Sequence, residues 1–166
     1  VSAARPGAPS GASAGRDVVE HAPKPAADED DEAADTRFAA VIRFGTNGIN
    51  ADVTTDDIVA TLQRWDAAYG VTVLEANENS LDLAFERLPE PLRPLAEEIY
   101  ALCPDIIDQH FGVMADLKAL FERSKTPLPQ ETAELIEGVD LTADDVGLVL
   151  LERSLRQSKR LSLWWD

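Results

Sequence analysis

The densest stretch of chemistry in the chain is Cys103-Pro104-Asp105-Ile106-Ile107-Asp108-Gln109-His110. It sets a thiol, two carboxylates, an amide and an imidazole within eight residues. A Cys/His pair makes a nucleophile when an imidazole nitrogen lies within about 3 Å of the sulfur, because the ring then takes the thiol proton. Asp105, Asp108 and His110 also carry the oxygen and nitrogen donors that a divalent metal uses. The same residues have an ordinary structural reading. A lone cysteine at a helix end packs as a small hydrophobe. An Asp after a Pro caps the next turn, and Gln109 and His110 close a loop through backbone bonds. The structural reading is the expectation. The alternative is a small hydrolase or transferase using Cys103, His110 and Asp105 or Asp108. The chain has two histidines, His21 and His110, so a multi-histidine metal site is excluded. No metal and no cofactor is expected.

A second group is aromatic: Trp65, Tyr69, Trp164 and Trp165. Adjacent residues on a strand face opposite sides of the sheet, so Trp164 and Trp165 must diverge. One can pack on helices, and the other needs a cover or a partner; tryptophan is enriched where proteins bind each other. Beside them lie Arg153, Arg156, Lys159 and Arg160. Their plain role is to favour a helix C-terminus; a carboxylate or phosphate site is the other reading. Phe44-Gly45-Thr46-Asn47-Gly48-Ile49 resembles the opening motif of phosphohexomutases. Asn50 replaces the expected Arg, the chain is too short for that enzyme, and no Ser-His-Asn-Pro loop occurs, so the stretch is read as a turn.

The elements that position these residues follow from periodicity. Residues 37–45 (RFAAVIRFG) are β-branched and aromatic and predict a strand closed by Gly45 and the Asn47-Gly48 turn. Thr54-Thr55-Asp56-Asp57 predicts a helix start, and Ile58, Leu62, Trp65 and Tyr69 share its buried face. Val71–Ala76 and Ser80–Glu86 predict a hairpin around Asn77-Glu78-Asn79. Helices are predicted after Pro94, over 113–124, near 130–137, and from Thr142-Ala143-Asp144-Asp145 to about residue 157. Arg160–Asp166 predicts a closing strand. This order implies an α+β fold, specifically a ferredoxin-like split βαβ antiparallel sheet with helices on one face and extra helices inserted before the last strand.

Composition bounds the rest. The 166 residues carry 31 acids and 15 bases, a formal charge of −16. Residues 1–36 are rich in Ala, Gly, Pro and Ser and run acidic over residues 28–32. They predict a disordered tail, because so little apolar surface cannot offset ordering entropy. That tail holds 8 acids and 3 bases, leaving −11 on residues 37–166, which are expected to form a single α+β domain. Phosphate-backbone binding draws its energy from Lys and Arg, so nucleic acid is not expected as the main ligand. No apolar stretch approaches the roughly 18–20 residues of a membrane helix. Neither a signal-peptide core nor an Arg-rich transit pattern is seen, so a cytoplasmic location is expected. The single cysteine cannot form an internal disulfide.

Three motifs taken together resemble the bacterial family catalogued as domain of unknown function 4253. They are Arg64-Trp65-Asp66 with Tyr69-Gly70, Cys103-Pro104-Asp105 with Gln109, and terminal Trp164-Trp165-Asp166, spanning residues 54–166. The resemblance implies no reaction or ligand, and it points to Trp65, Cys103, Asp105, Gln109 and Asp166 as one cooperating cluster.

The function expected from all this is a non-enzymatic interaction domain with an acidic surface that binds another protein. Its contact residues are expected among Trp65, Tyr69, Cys103, Asp105, Gln109, Trp164, Trp165 and Asp166. An immunity-type role, capping a basic toxin or nuclease, suits −11 on a small domain; a nucleic-acid mimic is a further alternative. The oligomeric state is left open.

Overall fold

The computed structural model describes residues 37–166. The expected tail, residues 1–36, lies outside the described residues. The fold is α+β, with six α-helices and one three-stranded sheet among the described residues.

The first element is a helix, α1 (Ala39–Phe44), and not the expected strand. Strand-forming residue types are present, but the buried positions are Phe38 and Val41, three apart, while Ile42 and Phe44 are exposed. A period of three fits a helix and defeats strand alternation. Gly45 ends α1 in the left-handed region at φ 61°, donating its N–H to Ile42.

Helix α2 (Thr55–Tyr69) opens with a full capping box: Thr54 Oγ1 accepts from the Asp57 N–H, and Asp57 Oδ2 accepts from the Thr54 N–H. Ile58, Leu62 and Trp65 form its buried stripe. At the far end Asp66 Oδ1 accepts the Val71 N–H at 2.8 Å, and Asp66 Oδ2 pairs with Arg37 at 2.6 Å. One carboxylate thus fixes the step from α2 into the sheet and anchors the chain before α1.

Strands β1 (Val71–Ala76) and β2 (Ser80–Phe85) form the expected hairpin, with a bulge between Val73 and Glu75. Leu81, Leu83 and Phe85 point into the core, and Asp82 and Ala84 lie on the other face. The last strand, β3 (Arg160–Trp164), pairs antiparallel with β2, giving the order β1-β2-β3. With a helix at residues 39–44 and this simple meander, the ferredoxin-like arrangement is not formed by the described residues. That pattern needs a first strand inserted between later ones.

Between β2 and β3 come α3 (Arg93–Leu102), a π-helical turn (Ile106–His110), a short 3₁₀ turn (Phe111–Val113), α4 (Met114–Ser124), α5 (Gln130–Ile136) and α6 (Val146–Ser158). Helices do therefore precede the last strand. Leu120 of α4 is 53% exposed. Thr142–Asp145 forms turns rather than a helical cap, and α6 starts at Val146. Arg93 joins α3 to α6 through Asp145 at 2.9 Å and through Glu152. Leu95, Ile99, Leu150, Leu151 and Leu155 belong to the same core as the sheet residues. No helix among the described residues is long and apolar enough to cross a membrane.

Candidate functional site

The end of α3, the turn after it and the last residues of the chain meet in one place. Cys103 closes α3, its N–H donating to Ile99 at 2.9 Å. Pro104 then blocks further α-helix and directs the chain into the π-helical turn. The Cys103 thiol donates to the Trp164 carbonyl at 3.0 Å. The Trp165 indole N–H donates to the Leu102 carbonyl at 3.0 Å, satisfying a helix-end acceptor that α3 leaves open. Asp105 accepts on both oxygens, from the Asp166 N–H at 3.1 Å and from the Gln109 amide at 3.0 Å.

The hairpin turn grips the same strand end from the other side. Trp165 N–H donates to the Asn79 carbonyl at 2.9 Å, and the Asn79 amide donates to the Trp165 carbonyl at 3.2 Å. The Trp165 ring lies against Gly48, where a Cβ would sit 2.3 Å from a ring carbon. The loop carrying Gly48 is itself tied to the hairpin by Thr46 Oγ1, donating to the Asn77 carbonyl at 2.6 Å, and by the Asn47 N–H, donating to Glu78. Gly45–Gly48 thus form a turn, as expected, but one that follows a helix and not a strand, and Gly48 makes room for a tryptophan.

Five of the expected contact residues therefore converge: Cys103, Asp105, Gln109, Trp165 and Asp166, with the Trp164 backbone. They fasten the C-terminal strand to α3. Cys103 is fully buried and Trp165 is 3% exposed, so neither can touch a partner protein in the folded chain. Trp65 is not in this cluster. It is 1% exposed, its indole N–H donates to Glu98 at 3.0 Å, and its ring lies 6.0 Å from that of Phe85. Tyr69 is half-buried against Phe85. The opposite facing of the two final tryptophans holds: Trp165 enters the core, while Trp164 stays half-buried with the His110 ring edge-on at 5.9 Å.

The chemistry of the cluster follows from its bonds. Burial pushes the Cys103 thiol above its ordinary value, which outweighs the hydrogen bonds that favour the thiolate. That is the reverse of the shift a nucleophilic thiol needs. The partner of the thiol is the Trp164 carbonyl, and no hydrogen bond joins it to His110. His110 projects to the surface against Phe111 and Trp164, and this packing lowers its imidazole below the usual value. Asp108 accepts the Tyr100 hydroxyl at 3.1 Å. Among the described residues no group of three or more His, Cys, Asp or Glu is placed to hold a metal ion. The sequence marks Gly48 and Asn79 only as turn residues, with no sign that both hold Trp165, and nothing in it singles out Glu98.

The family described as Domain of unknown function (DUF4253) matches residues 32–128, more than half of the chain. The matched span takes in the Arg64-Trp65-Asp66 and Cys103-Pro104-Asp105 motifs and begins before α1. It ends ahead of Trp164-Trp165-Asp166, so it differs at both ends from the span 54–166 expected from the motifs. No curated protein and no solved structure matches the chain.

Proposed function

The chain belongs to the family of Domain of unknown function (DUF4253), and from that premise we propose that it is a non-enzymatic protein-binding module of the bacterial cytoplasm that receives a basic partner. The observation that carries this reading is Ile49. It is 80% exposed at the tip of a loop whose backbone is fixed on both sides. Gly48 and Val53 exchange two backbone hydrogen bonds, 2.8 and 3.0 Å, beneath it. Asn47 braces the loop as well, donating to the Gly45 carbonyl and accepting from the Ile49 N–H. An exposed isoleucine held rigid costs little ordering entropy when a partner covers it. Beside it lies a hollow of about 370 Å³ that Asp52 and Thr54 also line. Asp56 and Asp57 are exposed on the first turn of α2. The 23 acids and 12 bases of residues 37–166 give a field that draws a basic protein and slows an acidic one. An immunity-type inhibitor of a basic toxin or nuclease is the specific form this reading takes.

The test is a paired capture from the native host with the unaltered chain and the double variant Ile49→Arg, Asp52→Lys. The proposal expects a basic protein that is retained by the first, lost by the second, and released as salt rises. Equal retention by both chains, or retention that salt does not weaken, counts against it.

A further inference from the structure

The four cations at the end of α6 have different fates. Arg153 donates to the Glu137 carbonyl at 2.6 Å. Arg156 pairs with Glu152 at 3.5 Å and with Glu90 at 3.8 Å. The Lys159 ammonium donates to the Glu86 carbonyl at 3.2 Å. The Arg160 guanidinium alone has no ion pair or hydrogen bond among the described residues, and it lies at the mouth of a hollow. That hollow, about 230 Å³, sits between the π-helical turn, α6 and the outer face of β3. Arg160, Ser162 and Trp164 line it from alternate positions of β3, Ser154 from α6, and His110 and Phe111 from the turn. The side chains of His110, Ser154 and Ser162 likewise have no hydrogen-bond partner among the described residues. A second hollow of about 450 Å³ shares His110, Phe111 and Ser154, so the opening continues past the imidazole.

Unpaired donors around a small concavity with aromatic walls are what an anionic ligand with a flat apolar body requires. We propose that this hollow binds a small aromatic monocarboxylate, with its carboxylate on Arg160 and the Ser162 hydroxyl and its ring against Trp164, Phe111 and His110. The guanidinium fork matches a carboxylate with two parallel N–H···O bonds. A single unpaired cation balances one negative charge and not two. The imidazole adds no second charge at neutral pH, because packing lowers its pKa. The negative charge of the whole domain disfavours a dianion further, so a phosphate monoester fits less well. The volume suits one ring; hollows for drug-sized ligands run from about 300 to 1,000 Å³. The site stands apart from the Ile49 surface and does not depend on the protein-binding reading.

The experiment uses the full 166-residue chain, ¹⁵N-labelled, and follows amide and indole signals during titration with sodium benzoate, benzamide and inorganic phosphate. Benzoate is expected to move the His110, Ser162 and Trp164 signals along one saturating curve with a Kd on the order of 1 mM. Benzamide and phosphate are expected to bind at least about tenfold more weakly. Arg160→Gln should weaken benzoate about tenfold or more, and Arg160→Lys should recover part of that loss, since it restores the charge without the fork. The proposal is overturned if benzoate gives no saturating shift by about 20 mM, if benzamide or phosphate matches it, or if Arg160→Gln leaves its curve unchanged.

Discussion

Trp165 and Trp164 are neighbours in the chain and end in opposite circumstances. The Trp165 side has a partner for each of its polar groups: the indole N–H on Leu102, the backbone on Asn79, the adjoining Asp166 N–H on Asp105. The Trp164 side presents His110, Ser154, Arg160 and Ser162 with no partner among the described residues. The same turn and the same strand supply both sides. A buried polar group must be paired or it costs the fold its desolvation penalty, so the inner cluster is closed to outside ligands. An exposed unpaired group is satisfied by water and can exchange that water for a ligand. The difference separates a fastening from a site, although the residue types on the two sides are equally capable of chemistry.

That contrast can be broken most forcefully at the two tryptophans. Trp165→Ala removes a 3%-exposed ring and orphans the Leu102 carbonyl. It should cost about 3–5 kcal/mol in a urea unfolding curve. Trp164→Ala should cost about 1 kcal/mol, because the ring is half-buried. Equal losses would erase the distinction. Gly48→Ala comes next. Its Cβ meets the Trp165 ring at 2.3 Å, and displacing that ring should cost about 1–3 kcal/mol, read from the same curve. Asp105→Ala frees the Asp166 N–H and the Gln109 amide near the surface and should cost about 1 kcal/mol. Arg160→Gln should leave stability within about 0.5 kcal/mol while weakening benzoate about tenfold or more; a large loss of stability would make Arg160 part of the fastening.

The smallest expected effect is in pH. The folded-state pKa of His110 is lowered, so the unfolded chain binds a proton more readily. Stability should therefore fall as pH drops from the ordinary imidazole value of about 6.5 through the lowered one. His110→Gln should flatten that part of a stability-against-pH curve.

Much of the fold could be read locally. Thr54 and Asp57 announce α2, the alternation of Leu81, Leu83 and Phe85 announces β2, and adjacency alone sends Trp164 and Trp165 to opposite faces. Residues 37–45 misled because Val41, Ile42 and the phenylalanines favour a strand intrinsically. Burial of Phe38 and Val41 together, a tertiary fact, decided for helix. The cluster around Cys103 could be read as a group of residues but not as a fastening. Its decisive partner, Asn79, lies 86 residues from Trp165. The vacancy at Arg160 was equally hidden: four cations stand together in sequence, and only their distant acceptors, Glu86, Glu90 and Glu137, reveal which three are occupied.

The Cys103 cluster fastens the C-terminal strand to α3, and its buried thiol is expected to be unreactive in the folded chain. The most direct measurement is the rate of iodoacetamide alkylation of Cys103 in the folded chain, as a function of pH, against the rate in denaturant. Folded-state alkylation is expected to be at least about a hundredfold slower, set by opening of the structure, with no thiolate titrating below the ordinary value of about 8.5. Alkylation of the folded chain as fast as that of the unfolded one, with a thiol titrating below that value, would contradict it.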